Sequence, residues 1–321
     1  MQNRVQLFSF DENNIYSSFS ELLFPSVVPK NHEEPLLKNE TIKILMVGDI
    51  VGRPGRQVVK KILPSLRQSA QIDFITVNGE NLAGGFGITE KIYDELLECG
   101  VDAFTMGNHW KDKPDIHLLR RKYKNIILPH NLTSVSDVNK APAFYLPKHH
   151  VNINIINLMG NFAMKDSYKN PFDFLVHEKE NFIEKQKSGS HIMIADIHAE
   201  ASSEKQAIAW YYDGILAGLI GTHTHTPTSD ERITNKGTAF LTDVGMTGAY
   251  DSVIGMEKDP IIRRLSNPGL KAPHEVASGD VWFCAFLIEV NPKTNLAQTC
   301  YRIQCRTFPT SQECWLISRV G

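Results

Sequence analysis

The chain has 321 residues, of which 42% are hydrophobic, with a formal net charge of −2 at pH 7 and five cysteines. The near-neutral charge excludes an electrostatic surface dominated by nucleic-acid or membrane binding, and the lack of any run of about 18 apolar residues excludes a predicted transmembrane helix. The cysteines are odd in number and include no C-x-x-C pair, so we expect reduced thiols in a cytoplasmic protein.

Residues 1–40 show no clear hydrophobic periodicity and end in the polar stretch PKNHEEPLLKNE, which predicts an N-terminal extension. Beyond this stretch, short apolar runs typical of strands alternate with helix-like segments. The predicted strands are IKILMV (42–47), DFITV (73–77), DAFTM (102–106), INIINLM (153–159), HIMIA (191–195), GILAGLI (214–220), TAFLT (238–242) and VWFCAFLIEV (281–290).

Two segments between the first three strands have the apolar spacing of helices. In GRQVVKKILPSLRQ (55–68) and TEKIYDELLECG (89–100), hydrophobic residues recur at intervals of three and four. Thr89 is expected to cap the second helix, and Gly100 follows its end. Strand–helix–strand units of roughly 30 residues predict an α/β sheet, while the C-terminal third is predicted to be mostly β.

Polar residues that can bind metals follow five of the predicted strands. They are Asp49, Glu80 and Asn81, Asn108 and His109, His198, and His223 and His225. In open α/β sheets, ligands bind beyond the carboxyl ends of the strands, so we expect these distant residues to meet in one pocket. His223 and His225 are expected on the same side of an extended backbone, because side chains at i and i+2 point the same way.

The chemistry of this donor set is coherent. Besides His109, it contains two carboxylates, two carboxamides and three imidazoles, a mixture of nitrogen and oxygen that suits iron, manganese or zinc better than magnesium or calcium. Seven donors exceed the needs of one tetrahedral ion, and they suit two ions roughly 3.5–4 Å apart that share a bridging carboxylate. The constellation therefore predicts a two-metal centre.

Each motif also has an interpretation without metal. Asp49 is suited to cap the following helix, Asn108 to occupy a turn, and His198 to be a hydrogen-bonded core residue. The His-x-His pair occurs in ordinary surface loops as well. Two glycine-rich stretches, GDIVGRPG (48–55) and NLAGGFG (81–87), lack the G-x-G-x-x-G and G-K-[ST] patterns, so we predict tight turns there rather than nucleotide-binding loops.

The succession GD, GE, GNH, H and GTHTH resembles the calcineurin-like metallophosphoesterases. Two departures distinguish it from the general pattern of that superfamily: Val51 stands where the first motif has a histidine, and Glu80-Asn81 replaces an aspartate. Both departures match the YmdB-like subfamily, whose members act as 2′,3′-cyclic-nucleotide 2′-phosphodiesterases. The segments that carry this resemblance, over roughly residues 42–305, are ILMVGDIVGRPGR, DFITVNGENLAGGFGIT, DAFTMGNH, IADIHAEASSEKQAIAWYYDG, GTHTHTPTSDERI and LTDVGMTGAYDSVIGM.

The resemblance implies a fold and a ligand set. The fold would be a four-layer α/β/β/α metallophosphoesterase sandwich with two mixed sheets over residues 41–305, flanked by extensions at 1–40 and 306–321. The implied ligands are Asp49, Glu80, Asn81 and His225 for the first metal and Glu80, Asn108, His198 and His223 for the second. Glu80 would bridge the two metals, His109 would donate a proton, and the metal would be iron, with manganese as a substitute.

The implied activity is hydrolysis of 2′,3′-cyclic nucleotides to 3′-nucleotides by a hydroxide held between the two metals. RNA ends are further candidate substrates, and the resemblance also implies a homo-oligomer. Two departures concern the substrate-facing loops: Trp110-Lys111 follows GNH where relatives have Thr-Trp, and Asn161 stands where relatives carry an arginine. A phosphomonoesterase, a phosphodiesterase for another substrate, and a regulatory or RNA-binding protein stabilised by its metals therefore stay open.

Overall fold

The structure is a computed structural model that describes residues 41–132, 141–164, 168–271, 273–307 and 312–320. The predicted N-terminal extension lies outside these residues. Among the helices of the described part, none has both the length and the apolar character needed to cross a bilayer.

Helices and strands alternate through most of the described chain. In chain order the elements are β1 (Ile42–Val47), α1 (Gly52–Ser69), β2 (Phe74–Asn78), α2 (Glu90–Leu97), β3 (Ala103–Thr105), α3 (Ile116–Lys122), β4 (Ile126–Ile127), β5 (Ala143–Leu146), β6 (Val151–Met159), α4 (Pro171–Lys187), β7 (His191–His198), α5 (Ser202–Tyr211), β8 (Gly218–Thr222), β9 (Arg232–Ile233), β10 (Ala239–Leu241), β11 (Gly248–Ala249), α6 (Lys258–Ser266), β12 (Val281–Asn291), β13 (Leu296–Thr307) and β14 (Gln312–Val320).

All eight predicted strands and both predicted helices overlap observed elements. The largest difference between a predicted and an observed boundary is at the start of β8, which was predicted at residue 214 but lies at Gly218. The intervening residues form a turn after α5, in which the amide groups of Ile215 and Leu216 both donate to the Tyr212 carbonyl. Thr89 occupies the N-cap position of α2 as expected, but its side chain makes no capping hydrogen bond.

The strands form two mixed sheets. The first has the order β14-β13-β12-β1-β2-β3-β4, with β11 also paired to β12. Within it, β1 to β4 are mutually parallel, while β1–β12, β12–β13 and β13–β14 are antiparallel pairs. The second sheet has the order β5-β6-β7-β8-β10-β9, with the four central strands parallel and antiparallel strands at both edges.

Alternate residues of β1 face different layers of the molecule. Ile42, Ile44 and Met46 belong to a buried cluster shared with the second sheet, whereas Leu45 and Val47 belong to a cluster with the apolar face of α1. A third cluster packs the outer face of the second sheet against α4 and α5. Helices thus cover the outer faces of two sheets that pack against each other, which confirms the expected α/β/β/α sandwich.

The C-terminal strands extend the first sheet. The boundary predicted at residue 305 falls inside β13, and β14 pairs with β13 along its length as an edge strand. The division into a 41–305 domain with two extensions stays a prediction.

Two cysteines lie in these long strands, Cys284 in β12 and Cys300 in β13. Burial raises the pKa of both thiols to about 12, so neither is a reactive thiolate.

We expect the apolar layer between the sheets to dominate stability. Leu241 is fully buried in this layer, and replacing it with alanine should lower the free energy of unfolding by about 2–5 kcal/mol, because contacts are lost and a cavity is left. Leu118→Ala is the matched control, because that side chain is 54% exposed on α3 and should change stability by less than about 0.5 kcal/mol. Urea denaturation measures both, and equal shifts would contradict the expectation.

Candidate metal centre

The predicted donor residues meet where the carboxyl ends of the two sheets adjoin. Asp49, Glu80 and Asn108 follow β1, β2 and β3 of the first sheet, while His198 ends β7 and His223 follows β8 of the second. The side chains of Asp49, Glu80, Asn81, His198 and His225 are all buried, with at most 7% exposed. The expected convergence of distant residues therefore occurs.

Two overlapping groups of donor atoms have spacings suited to a metal ion. One consists of Glu80, His198 and His223, and the other of Asp49, Glu80 and His225; within each group the candidate ligand atoms lie within 4.8 Å of one another. Asn108 adjoins the first group, because its Oδ1 lies 2.9 Å from His198 Nε2. Glu80 is common to both groups, as expected for a carboxylate between two ions.

Two buried oxygens in this cluster have no hydrogen-bond partner among the residues that the structure describes. They are Oδ1 of Asp49 and Oδ1 of Asn81. The Asn81 amide nitrogen donates to the Gly85 carbonyl at 2.9 Å, which fixes the orientation of the amide. Leaving a buried polar group unpaired costs about 1–3 kcal/mol, and a bound cation would provide the missing partner. The unpaired oxygens therefore fit metal binding at this position.

Hydrogen bonds determine which nitrogen His198 presents to the cluster. Thr222 Oγ1 lies 2.7 Å from Asp196 Oδ1 and 2.9 Å from His198 Nδ1. Because the hydroxyl donates its one proton to the buried carboxylate, its oxygen accepts from the Nδ1–H of His198. The remaining nitrogen, Nε2, is directed at Glu80 Oε1, 3.3 Å away. This arrangement is typical of metal-binding histidines, whose other ring nitrogen donates to an oxygen.

Contacts at one ring nitrogen also determine which nitrogen His225 and His223 present to the cluster. His225 Nδ1 lies 2.9 Å from the Ile254 carbonyl, to which it donates, so Nε2 is left for a metal. His223 has the opposite orientation: its Nε2 lies 3.3 Å from Glu200 Oε2, and its Nδ1 lies 3.1 Å from His198 Nε2. The nitrogens that face the cluster are therefore Nε2 of His198 and His225 and Nδ1 of His223.

Burial and neighbouring charges shift the pKa values of four residues in the cluster, and the direction of the shift differs from one residue to the next. Burial raises the pKa of the Asp49 carboxyl to about 6, although His225 and His198 oppose this. Burial alone would raise the pKa of Glu80, but the charge and hydrogen bond of His198 lower it to about 2. For His198, burial opposes protonation, yet Glu80 and Asp49 raise the pKa to about 9. Burial and the nearby His198 lower the pKa of His223 to about 3, so its ring is neutral.

His109 lies beside the cluster without belonging to either donor group. Its backbone N–H donates to Glu80 Oε2 at 2.9 Å, and its Nδ1 lies 2.7 Å from Asp112 Oδ2. The ring also contacts Phe86 edge-on, with 4.9 Å between ring centroids. Because about a third of the His109 side chain is exposed and Nδ1 is engaged, Nε2 is the nitrogen available to a bound molecule.

The His223–His225 segment is not extended, so the basis of that prediction is wrong. The strand ends at Thr222, and His223 and His225 have φ values of 98° and 61°. A non-glycine residue in this region of backbone space costs about 1–3 kcal/mol, and such strain is concentrated at functional sites. The two imidazoles nevertheless reach neighbouring donor groups, because this turn directs them rather than the alternation of a strand.

The structure agrees with some of the interpretations that require no metal and disagrees with others. Asp49 does not cap α1, whose N-cap is Val51. Asn108 does lie in a turn, although its φ is not positive. The stretch NLAGGFG forms tight turns as predicted, with positive φ at Gly84, Gly85 and Gly87, whereas the end of GDIVGRPG, for which turns were also predicted, begins α1 at Gly52. Trp110 is buried in an apolar cluster, so it does not form part of an exposed rim.

Several residues that orient the donors had no sequence signal. Thr222 contacts His198 and Glu200 contacts His223 only through the tertiary structure, and Asp196 bonds to Thr222. Asp112 is the exception, since it follows His109 by three residues and could have been found as a local partner. An acidic residue three positions after the histidine of a GNH motif therefore predicts a partner for that histidine.

Comparison with known proteins finds relatives that match most of the described chain. A family model described as YmdB-like protein matches residues 45–303. The 2′,3′-cyclic-nucleotide 2′-phosphodiesterase of Bacillus subtilis (strain 168) is 37% identical over 262 residues, which cover 82% of this chain and 96% of the relative.

Two solved structures share the fold along most of their length. A hypothetical protein from Thermus thermophilus has a TM-score of 0.72 and 29% identity, and the match covers 85% of this chain and 99% of that protein. A novel phosphatase of Mycoplasma pneumoniae has a TM-score of 0.74 and 34% identity, with coverage of 84% and 96%.

We expect Gly107→Ala to disrupt the cluster directly. A Cβ at this position would lie 2.3 Å from both Glu80 Oε2 and His198 Nε2, so these two side chains would have to move apart. Gly269→Ala is the matched control, because nothing lies within 4 Å of its Cβ position. Elemental analysis should show metal lost from the first variant only. Wild-type metal content in Gly107→Ala would contradict the assignment.

Proposed function

The chain belongs to the YmdB-like family, and we propose that it hydrolyses 2′,3′-cyclic nucleotides to 3′-nucleotides at a two-metal centre. That the protein is a phosphoesterase follows from its relatives, which are named as a phosphodiesterase and a phosphatase. The two-metal mechanism is proposed because two groups of donor atoms share Glu80, and His109 lies beside them.

The proposed ligands are those expected from the motifs. Asp49, Glu80, Asn81 and His225 would hold one ion, and Glu80, Asn108, His198 and His223 would hold the other. The mixture of imidazole and oxygen donors without a thiolate suits iron, manganese or zinc, and among these the family resemblance implies iron, with manganese as a substitute. When bound, the two cations would supply neutralisation of the phosphoryl charge and a lowered pKa for the attacking water.

His109 is proposed to donate a proton to the leaving oxygen. In its imidazolium form, Nδ1–H donates to Asp112 and Nε2 holds the transferable proton. Attack of water on phosphorus breaks the bond to the 2′ oxygen, which takes the proton from Nε2; the proton released by the water passes to solvent. The product is a 3′-nucleotide. The hydrogen bond from the His109 backbone to Glu80 keeps this donor next to the proposed metal position.

A phosphomonoesterase on the same site is the second candidate. It is favoured by the description of the Mycoplasma pneumoniae relative as a phosphatase. Asn161 is relevant to the choice between the two substrate classes, because it is exposed at the position where relatives carry an arginine. Its backbone N–H donates to Glu204. A cytoplasmic location, RNA ends as substrates and self-association stay predictions from the sequence.

The first test removes the shared carboxylate charge. Glu80→Gln keeps the shape of the side chain, but we expect loss of metal together with hydrolysis of 2′,3′-cAMP, because a neutral amide is a poor bridge between cations. Elemental analysis and activity on 2′,3′-cAMP and p-nitrophenyl phosphate are measured in parallel with Glu98→Gln, an exposed control. A variant that retains about two equivalents of metal and full activity would refute the two-metal proposal.

The second test concerns the proton donor. His109→Asn should keep its metal but lose about 10²–10⁴-fold in rate on 2′,3′-cAMP, since general acid catalysis contributes about that much. The loss should be much smaller with bis(p-nitrophenyl) phosphate, because nitrophenolate leaves without a proton. His117→Asn, at an exposed position on α3, is the control. Equal losses on both substrates would exclude the proposed role.

A further inference from the structure

The strained turn that carries His223 and His225 is tied to a buried carboxylate. We propose that Asp243 is a positioning residue that acts through Thr224 to hold this turn in the conformation that binds both metals. The proposal rests on the proposed two-metal site, but it concerns residues outside the ligand set.

Thr224 makes two hydrogen bonds to the same carboxylate oxygen. Its backbone N–H and its hydroxyl donate to Asp243 Oδ2 at 3.2 and 2.8 Å. The other oxygen, Oδ1, accepts from the backbone N–H of Gly245 at 2.9 Å. Asp243 is 1% exposed. A single buried side chain therefore holds the residue that lies between the two histidines of the turn.

Lys205 offsets the charge of this carboxylate. Its Nζ lies 2.9 Å from Asp243 Oδ2, and the whole Lys205 side chain is buried. It passes over Gly221 in β8, where a Cβ would lie 2.5 Å from Lys205 Cδ. A buried ion pair is stable only when the remaining hydrogen-bonding groups of its members are satisfied. Here the carboxylate also accepts from Thr224 in the turn and from the backbone N–H of Gly245.

The neighbours of Thr224 are held at other points. His223 N–H donates to Asp49 Oδ2 at 3.2 Å, and the His225 carbonyl accepts from the Met246 N–H at 3.3 Å. Both histidines have positive φ, which residues with a side chain rarely adopt. Thr224 lies between these two strained residues, and besides its contacts with Thr226 it is bonded to the buried carboxylate of Asp243. Loss of the hydroxyl bond to Asp243 should loosen both histidines together, one from each proposed metal.

The experiment compares four variants of the full chain, three at one position and one control. Thr224→Val keeps the volume of the side chain but lacks the hydroxyl, Thr224→Ala lacks it without adding bulk, and Thr224→Ser restores it. Thr226→Val is the control, because Thr226 is exposed in the same segment and its hydroxyl makes only a 3.4 Å contact. Each protein is stripped with a chelator and titrated with Mn²⁺, and the free ion is measured by electron paramagnetic resonance.

We expect Thr224→Val and Thr224→Ala to bind two Mn²⁺ ions about 10–100-fold more weakly, the usual effect of removing a residue that orients a ligand. Thr224→Ser and Thr226→Val should bind like the wild type, and circular dichroism should show the same fold in all. If Thr224→Val does not fold, Thr224→Ala carries the same test.

The results that would contradict the proposal distinguish the role of Asp243 and Thr224 from the existence of the metal centre. Wild-type affinity in folded Thr224→Val and Thr224→Ala would overturn the role of Asp243 and Thr224 while the metal centre stands. Equal weakening in Thr226→Val would overturn it as well, because the effect would then belong to the whole segment. A wild-type protein that binds no Mn²⁺, iron or zinc would instead overturn the proposed function itself.

Discussion

The contact between Glu80 and His198 joins the two sheets at the edge where the donor residues meet. Glu80 follows a strand of the first sheet and His198 ends a strand of the second, and their side-chain atoms approach to 3.3 Å. Because each sheet supplies part of the donor set, the distances in the cluster depend on how the sheets pack. The close-packed apolar layer between them therefore determines the geometry of the site as well as the stability of the fold.

Glycines allow the donor-bearing loops to approach this closely. A Cβ on Gly48, just before Asp49, would lie 1.9 Å from the Gly245 carbonyl oxygen, and one on Gly221 would lie 1.8 Å from that of Thr242. A glycine directly precedes three of the seven donors, Asp49, Glu80 and Asn108. At Gly48 and Gly221 the need for glycine comes from backbone packing, whereas at Gly107 it comes from the side chains of Glu80 and His198.

The donors could be found from the sequence because each follows a local signal, an apolar run that ends in a polar residue. Short strands such as β4, β9 and β11 have two residues each and no periodicity, so they could not be predicted. The division of the strands into two sheets was expected only from the family resemblance, because apolar runs do not show which strands pair. The residues around the donors had no such signal: Thr222 contacts His198 only through tertiary structure, and Asp196 and Asp243 bond to Thr222 and Thr224 rather than to a donor side chain. The turn at His223 was misjudged because its positive φ values depend on those same partners.

The position of β1 has a consequence for the order of assembly during synthesis. This strand lies at the start of the described chain, yet one of its edges pairs with β12, near the other end. On the ribosome, that edge stays without its partner until almost the whole polypeptide has emerged, whereas every strand of the second sheet is already available. Long-range pairing of this kind slows folding and leaves an exposed strand edge. We therefore expect nascent chains truncated before β12 to depend strongly on chaperones.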